Sequence, residues 1–295
     1  MDFSKLKGKL YFKTKFIDVR KANIHILNHS LHFATSVFEG IRVYNGKILF
    51  LDDHVRRLIA SSKLMKLKLA NSKTNICEII RKLIKLNKIK NGYVRPLVFR
   101  SSHSMSPETE KCKTLFAVAS WEWGNLFNKN NGVSLNVSKY PRLHKKIYPI
   151  EAKSSGSYQT SVISRIESTK KNFDDCLMLD LKKNIAESSA CNIFWIKKNK
   201  IFTPKEHSIL NGITRKAIIK ICRNNKIKVK EGDYKLSDIM NADSAFLTGT
   251  AAEIQIIKRI KNKKLNINSS LVNYLKDKFE KVKHFCPNKV SQIKF

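Results

Sequence analysis

Between Thr74 and Leu86 the apolar residues Ile76, Ile79, Ile80, Leu83 and Ile84 fall at i, i+3, i+4, i+7 and i+8. Only a helix with one buried face brings those five side chains together. Two apolar runs of strand length follow, Tyr93–Arg100 and Thr114–Trp121, so this part of the chain must pack helix against sheet. The same mixture recurs elsewhere. Strands are expected over 10–20 and 42–51, the latter turned at Asn45-Gly46, a strong hairpin signal. Asp52 and Asp53 can cap a helix reaching about Lys68, with Val55, Leu58, Ile59 and Met65 on one face.

The stretch Glu122–Gly132, which contains Asn128, Lys129, Asn130 and Asn131, reads as a linker. Beyond it strands are expected over 133–138, 176–181, 192–197 and 201–203. A helix opens at the Lys153 stretch and runs to about Lys171, and another is headed by Thr214. Ser244–Leu247 is a strand ending in a Gly249-Thr250 turn, and a further strand lies near Ile254–Ile260. A last amphipathic helix carries Leu271, Leu275, Phe279 and Val282. The pattern is that of an α+β or α/β chain with two domains, 1–127 and 128–295, joined through a loop at about 122–132.

Composition narrows the function classes. The hydrophobic fraction of 42% is that of a globular protein, and no run approaches the ~20 apolar residues of a membrane span. The N-terminus alternates lysine with apolar residues and lacks the continuous apolar core of a secretion signal, so a cytoplasmic location is expected. The six cysteines are scattered with no C-x-x-C pair, which points to reduced core thiols and away from disulfides or a zinc knuckle. His25, His29 and His32 lack an acidic or thiol partner at matching spacing, so structural histidines are expected and no metal. The net charge of +35, from 58 basic and 23 acidic residues, would suit nucleic acid or an anionic membrane. The lysines are spread along the chain with no nucleic-acid-binding signature beside them, so neither partner is expected.

Chemistry concentrates at a few places. Lys153 stands among small residues in Glu151-Ala-Lys-Ser-Ser-Gly-Ser-Tyr158. Alone it would be read as a solvated charge. Glu187 lies in the small-residue turn Ile185-Ala-Glu-Ser-Ser-Ala-Cys-Asn-Ile-Phe194, Thr214 heads a helix, Gly249-Thr250-Ala251 forms an open turn, and Arg57 sits on the first long helix. Pyridoxal phosphate asks for such a set: a Schiff-base lysine, a carboxylate for the pyridine nitrogen and anchors for a phosphate dianion. A helix start and a fixed arginine are both suited to phosphate.

The runs His32-Phe-Ala-Thr-Ser-Val-Phe-Glu-Gly-Ile-Arg42, His54-Val-Arg-Arg-Leu58, Tyr93-Val-Arg-Pro-Leu97, Ala152-Lys153-x-x-Gly156-x-Tyr158, Glu187 to Phe194, Leu210-Asn-Gly-Ile-Thr-Arg215 and Thr248-Gly-Thr-Ala-Ala-Glu253 occur in this order. Together they resemble the fold-type IV pyridoxal-phosphate enzymes, and most closely the branched-chain amino acid aminotransferases, over roughly residues 10–285. The resemblance implies a small N-terminal α/β domain and a larger, β-barrel-like C-terminal domain that binds the cofactor. It implies that Lys153 carries pyridoxal 5′-phosphate and shuttles the substrate proton, that Glu187 pairs with the pyridine nitrogen, and that Tyr158 bonds the ring oxygen. Arg57, Ile213, Thr214 and Thr250 would hold the phosphate. Tyr93, with the N–H groups of Thr250 and Ala251, would take the substrate α-carboxylate. Phe38, Trp123 and Phe33 of a second subunit would line the side-chain pocket, and Arg95 would receive the distal carboxylate of glutamate.

The implied reaction is transamination between leucine, isoleucine or valine and 2-oxoglutarate, by a homodimer or larger oligomer. Because the likeness begins so near Met1, no transit peptide is expected. D-amino acid aminotransferase and aminodeoxychorismate lyase share the fold and are the alternatives; a basic nucleic-acid-binding protein is a distant third. Four positions depart from the subfamily pattern: Phe33 where tyrosine is common, Ala34 for glycine, Cys191 for glutamate, and Leu126 where an aromatic is frequent. They bear on donor preference, since an unpaired carboxylate is costly to bury.

Overall fold

The computed structural model describes residues 2–124, 126–127 and 131–295. Of the expected linker, Asn125, Asn128, Lys129 and Asn130 lie outside the described residues. Backbone contacts divide the chain into two units: Met1–Gly124 with Ala152–Gly156 and Cys286–Lys289, and Asn125–Glu151 with Ser157–Phe285 and Val290–Phe295.

The first unit is a mixed α/β layer. Its strands are β1 (Lys9–Phe12), β2 (Lys15–Asp18), β3 (Ser36–Phe38), β4 (Ile41–Tyr44), β5 (Lys47–Ile48), β6 (Gly92–Arg100) and β7 (Thr114–Glu122). They form one antiparallel sheet in the order β2-β1-β7-β6-β4-β5, with β3 also paired to β6. The β4–β5 hairpin turns at Asn45 and Gly46, both at positive φ (49° and 75°), as a two-residue primed turn requires. A short α1 (His29–Phe33) precedes β3, and α2 (Leu51–Leu64) and α3 (Lys73–Leu86) cover one sheet face. Leu51, Val55, Leu58, Ile76, Ile80 and Leu83 pack there against Val43, Val94, Val98, Phe116 and Val118, all buried.

Two expectations are corrected here. Asp52 and Asp53 do not cap α2. The N-cap is Phe50, in the left-handed region and without a side-chain cap bond, and both aspartates lie in the first turn, where their charge faces the positive helix end. Lys153 does not open a helix. Its segment is irregular because its backbone groups are bonded elsewhere, as described below.

The second unit contains β8 (Val133–Val137), α4 (Gln159–Thr169), β9 (Asp175–Leu179), β10 (Ile185–Ser188), β11 (Asn192–Lys197), β12 (Lys200–Pro204), α5 (Ile213–Asn224), β13 (Val229–Gly232), α6 (Leu236–Met240), β14 (Ser244–Gly249), β15 (Glu253–Ile260), β16 (Lys263–Lys264) and α7 (Ser270–Phe285). The sheet is mixed, in the order β10-β9-β8-β15-β14-β11-β12-β13, with β16 on β15. Ser188 N–H donates to the Cys191 carbonyl at 2.8 Å and Ile185 N–H to that of Tyr234 at 2.7 Å. The edge strand β10 therefore curls back toward the β11 side, giving a barrel-like sheet around Val133, Leu135, Leu177, Ile193, Trp195, Leu247 and Ile257. Outside it α5 packs on β14 and α7. Two further corrections belong to this unit. Glu187 sits on β10, not in a turn, and the N-cap of α5 is Gly212, with Thr214 in the first turn.

None of the six cysteines is joined in a disulfide, and five of them are buried. His29 bonds Thr35 and Ser106, and His32 bonds the Ile26 carbonyl. No group of metal-ligating side chains is found among the described residues. Among them, too, no helix is long and apolar enough to cross a membrane.

Candidate active site

In the first unit Lys153 is clamped by its backbone. Its N–H donates to Ser61 Oγ on α2 at 3.0 Å, and its carbonyl accepts from the Phe38 N–H on β3 at 3.0 Å. The neighbours Ala152 and Ser154 are fully buried, and Ser154 bridges to Val37. The amine of Lys153 lies 4.9 Å from the centre of the Phe38 ring. That ring also carries the Arg95 guanidinium at 4.6 Å, and Arg95 is 5.5 Å from the Tyr93 ring. Tyr93 meets Trp123 edge-on at 4.9 Å. Trp123 and Gly124 are fixed through their carbonyls, which accept from Arg42 at 2.9 and 2.7 Å. Lys153, Phe38, Arg95, Tyr93 and Trp123 thus form one chain of contacts. The Tyr93 hydroxyl lies directly over Gly40: a Cβ there would come within 1.6 Å of it, so only glycine leaves room.

Arg57 belongs to the same unit. Its Nε and Nη2 donate to the two oxygens of Glu39 at 2.6 and 2.9 Å, and His54 Nδ1 lies 2.7 Å from Glu39 Oε2. Glu39 is fully buried. Burial alone would push its carboxyl up, but Arg57 and His54 outweigh that and hold it well below the usual range. Burial lowers His54, and the opposing pull of Glu39 does not restore it. Phe33 is not part of this cluster. It is 41% exposed and packs on the His29 ring at 4.7 Å. Arg95 also touches a cavity of about 420 Å³, walled by Leu10, Phe12, Ile24, Leu97 and Phe99.

In the second unit Glu187 accepts from Arg142 Nε at 2.6 Å, Asn192 Nδ2 at 3.0 Å and the Leu210 N–H at 3.3 Å. Arg142 and Glu187 are 4% and 5% exposed. Arg142 Nη1 also donates to the Ser157 carbonyl at 2.7 Å, next to Tyr158, which stands at the start of α4. Asn192 reaches the Leu210 carbonyl as well, and a Cβ on Gly212 would strike Asn192 Oδ1 at 2.2 Å. With glycine as N-cap and no side-chain cap bond, the first turn of α5 carries Ile213 and Thr214 with helix N–H groups that no cap takes up. Thr250 and Ala251 occupy the turn between β14 and β15, where the Ala251 carbonyl accepts from the Leu126 N–H at 3.1 Å. Beneath that turn Cys191 Sγ lies 3.1 Å from where a Gly249 Cβ would be, and burial pushes the Cys191 thiol up to about 12.

These residues fit pyridoxal phosphate. The α5 start is an uncapped helix end suited to an anion. Glu187 is a held carboxylate that keeps acceptor capacity for a ring N–H beyond its three donors. Among the described residues, Thr248 Oγ1 and Arg95 Nε are buried without a hydrogen-bond partner, the kind of polar group a ligand satisfies. Sequence reasoning assigned no role to Glu39, His54, Ser61, Asn192 or Arg142. Glu39 and His54 lie inside quoted motifs, a usable signal. Arg142 is one of 58 basic residues and had none.

Residues 36–260 match the family model described as amino-transferase class IV. The chain belongs to the class IV aminotransferases. It is 35% identical over 277 residues to a probable branched-chain-amino-acid aminotransferase of Rickettsia bellii, covering 92% of this chain and 95% of that one. Among solved structures it is similar to the branched-chain aminotransferase of Thermoproteus uzoniensis with norvaline, with TM-score 0.91, 27% identity and coverage of 94% and 95%. The T.th. branched-chain amino acid aminotransferase with pyridoxamine 5′-phosphate gives TM-score 0.91 and 26% identity over 96% of each chain. These names do not favour the D-amino acid or lyase alternatives within the aminotransferase fold.

Proposed function

We propose that this aminotransferase moves the amino group of leucine, isoleucine or valine to 2-oxoglutarate, giving a branched-chain 2-oxo acid and glutamate, with pyridoxal 5′-phosphate as cofactor. The observation that carries the reading is the clamped Lys153, its amine over Phe38, in one contact chain with Arg95, Tyr93 and Trp123. The names of the relatives supply the substrate class.

When bound, the cofactor supplies a carbonyl for the amino group and a ring that withdraws electrons from the substrate Cα. Lys153 Nζ would take the proton from the substrate Cα and deliver it to the cofactor C4′, as a positioned general base and then acid. Glu187, held in place by the Arg142 guanidinium and the Asn192 amide, accepts the pyridine N–H. Tyr158 bonds the ring oxygen. Arg57, Ile213, Thr214 and Thr250 hold the phosphate, the helix start supplying N–H groups. Tyr93 with the Thr250 and Ala251 N–H groups takes the α-carboxylate. Phe38, Trp123 and Phe33 of a second copy exclude water around the branched side chain. Arg95 receives the distal carboxylate of glutamate, and its buried Nε, without a partner among the described residues, supports that role.

The same reading makes the enzyme a homodimer or a multiple of one. Ile24, Ile26, Leu27, Leu31 and Phe33 are each more than 40% exposed within one short segment, a patch of the kind that marks association. It also places the enzyme in the cytoplasm, in keeping with six cysteines that form no disulfide.

The test is an absorption spectrum of the purified protein with pyridoxal phosphate, before and after L-leucine. The expected result is a visible cofactor band that bleaches with L-leucine, is restored by 2-oxoglutarate, and is absent in Lys153→Ala. A band that ignores L-leucine and answers D-alanine would overturn the substrate assignment. No band at all would overturn the cofactor.

A further inference from the structure

We propose that Glu39 is a positioning residue for the cofactor phosphate, acting through Arg57. The inference rests on reading Arg57 as a phosphate ligand. Glu39 lies just beyond β3, and its own N–H donates to the Pro96 carbonyl on β6 at 3.0 Å. Its carboxylate therefore projects from a fixed backbone. Arg57 meets it side-on, Nε to Oε1 and Nη2 to Oε2, and the planar guanidinium then has one orientation. The edge turned away from Glu39, made of Nη1 and the second Nη2 hydrogen, is the one a phosphate meets. His54, one turn earlier on α2, and the Gly40 N–H at 3.3 Å close around Oε2, so the carboxylate cannot swing.

A purely structural account fits poorly. Desolvating a carboxylate is costly, and apolar residues of similar volume often hold such a joint as well or better. What a buried carboxylate does that an apolar side chain cannot is fix the plane of an arginine that must face an anion. Its negative charge opposes the phosphate at the same time. Orientation and charge thus pull in opposite directions, and the experiment reads which prevails.

The experiment titrates the apoprotein with pyridoxal 5′-phosphate and with pyridoxal, which lacks the phosphate, following bound-cofactor absorbance. The ratio of the two dissociation constants reports the phosphate alone, since the rest of each ligand is shared. In Glu39→Gln the ratio is expected to shrink by about tenfold, or about 1.4 kcal/mol, with pyridoxal binding little changed. Arg57→Lys keeps the charge but cannot be clamped side-on, and is expected to lose as much; it also serves if Glu39→Gln does not fold. An unchanged ratio with both affinities weakened together would make Glu39 merely structural and overturn the proposal. So would a larger ratio, or a full ratio in Arg57→Lys. A wild-type protein that binds pyridoxal phosphate no better than pyridoxal would instead remove Arg57 from the phosphate site. Failure of the wild type to bind either would sink the cofactor reading itself.

Discussion

His54 is 1% exposed, and its Nδ1 faces an ionised Glu39 that can only accept. The proton therefore sits on Nδ1, and the ring is neutral because burial lowers its pKa below 6.5. In the unfolded chain the same ring protonates at about 6.5. Below that value the unfolded state binds a proton the folded state refuses, so stability falls with acid, by at most about 1.4 kcal/mol per pH unit for the one proton. Glu39, depressed in the fold, adds a loss in the same direction once the pH drops below about 4.5. Asp175, raised by burial, works oppositely: it protonates more easily when folded, and acid favours the fold through it above about 3.9. Comparing His54→Gln with the wild type isolates the histidine. Between pH 7.5 and pH 5 (both chosen about the ~6.5 of free histidine) the melting temperature of the wild type is expected to fall more steeply than that of His54→Gln. Parallel curves for the two proteins would rule out a neutral buried His54.

α2 presents three side chains to the site from one face: His54 and Arg57 toward Glu39, and Ser61 toward the backbone of Lys153. Positions three and four apart share a face of a helix, so the spacing could be read from sequence once the helix was known. The target of Ser61 could not, because Lys153 is 92 residues away in the chain. This is the general pattern of what was legible. α3 and the β4–β5 hairpin follow from local periodicity and turn chemistry. The irregular Lys153 segment and the strand under Glu187 are set by partners distant in sequence, where small residues read locally as helix start or turn. Ser61→Ala removes the acceptor of the Lys153 N–H, at a cost of about 1–3 kcal/mol. It is also expected to lower kcat by between about tenfold and hundredfold, since the amine is displaced from its working position, while the KM for leucine changes little. A variant with wild-type kcat would show that the clamp does not position Lys153.

For the whole molecule, sequence and structure divide the work unevenly. Seven short runs in a fixed order carried the family, and with it nearly every proposed ligand, although each residue taken singly reads as ordinary surface or turn. The +35 charge carried little, because lysines distributed over the whole chain define no binding face. The apolar patch at Ile24, Ile26, Leu27, Leu31 and Phe33 was equally silent, since exposure is not a property of sequence. It bears on assembly more directly than any motif. Fully burying one such side chain is worth about 1.5–3 kcal/mol, so several of them buried against a second copy can drive association, and Phe33 comes with them. The double variant Ile26→Glu/Leu31→Glu sets two carboxylates into that patch. Sedimentation is expected to show the wild type as a dimer or larger and the variant as a monomer. Transamination should fall along with the association, while the spectrum of bound pyridoxal phosphate persists, because on the proposed function only Phe33 is supplied by the second copy. A wild-type chain that sediments as a fully active monomer would remove Phe33 from the substrate pocket and leave the patch without a role in the reaction.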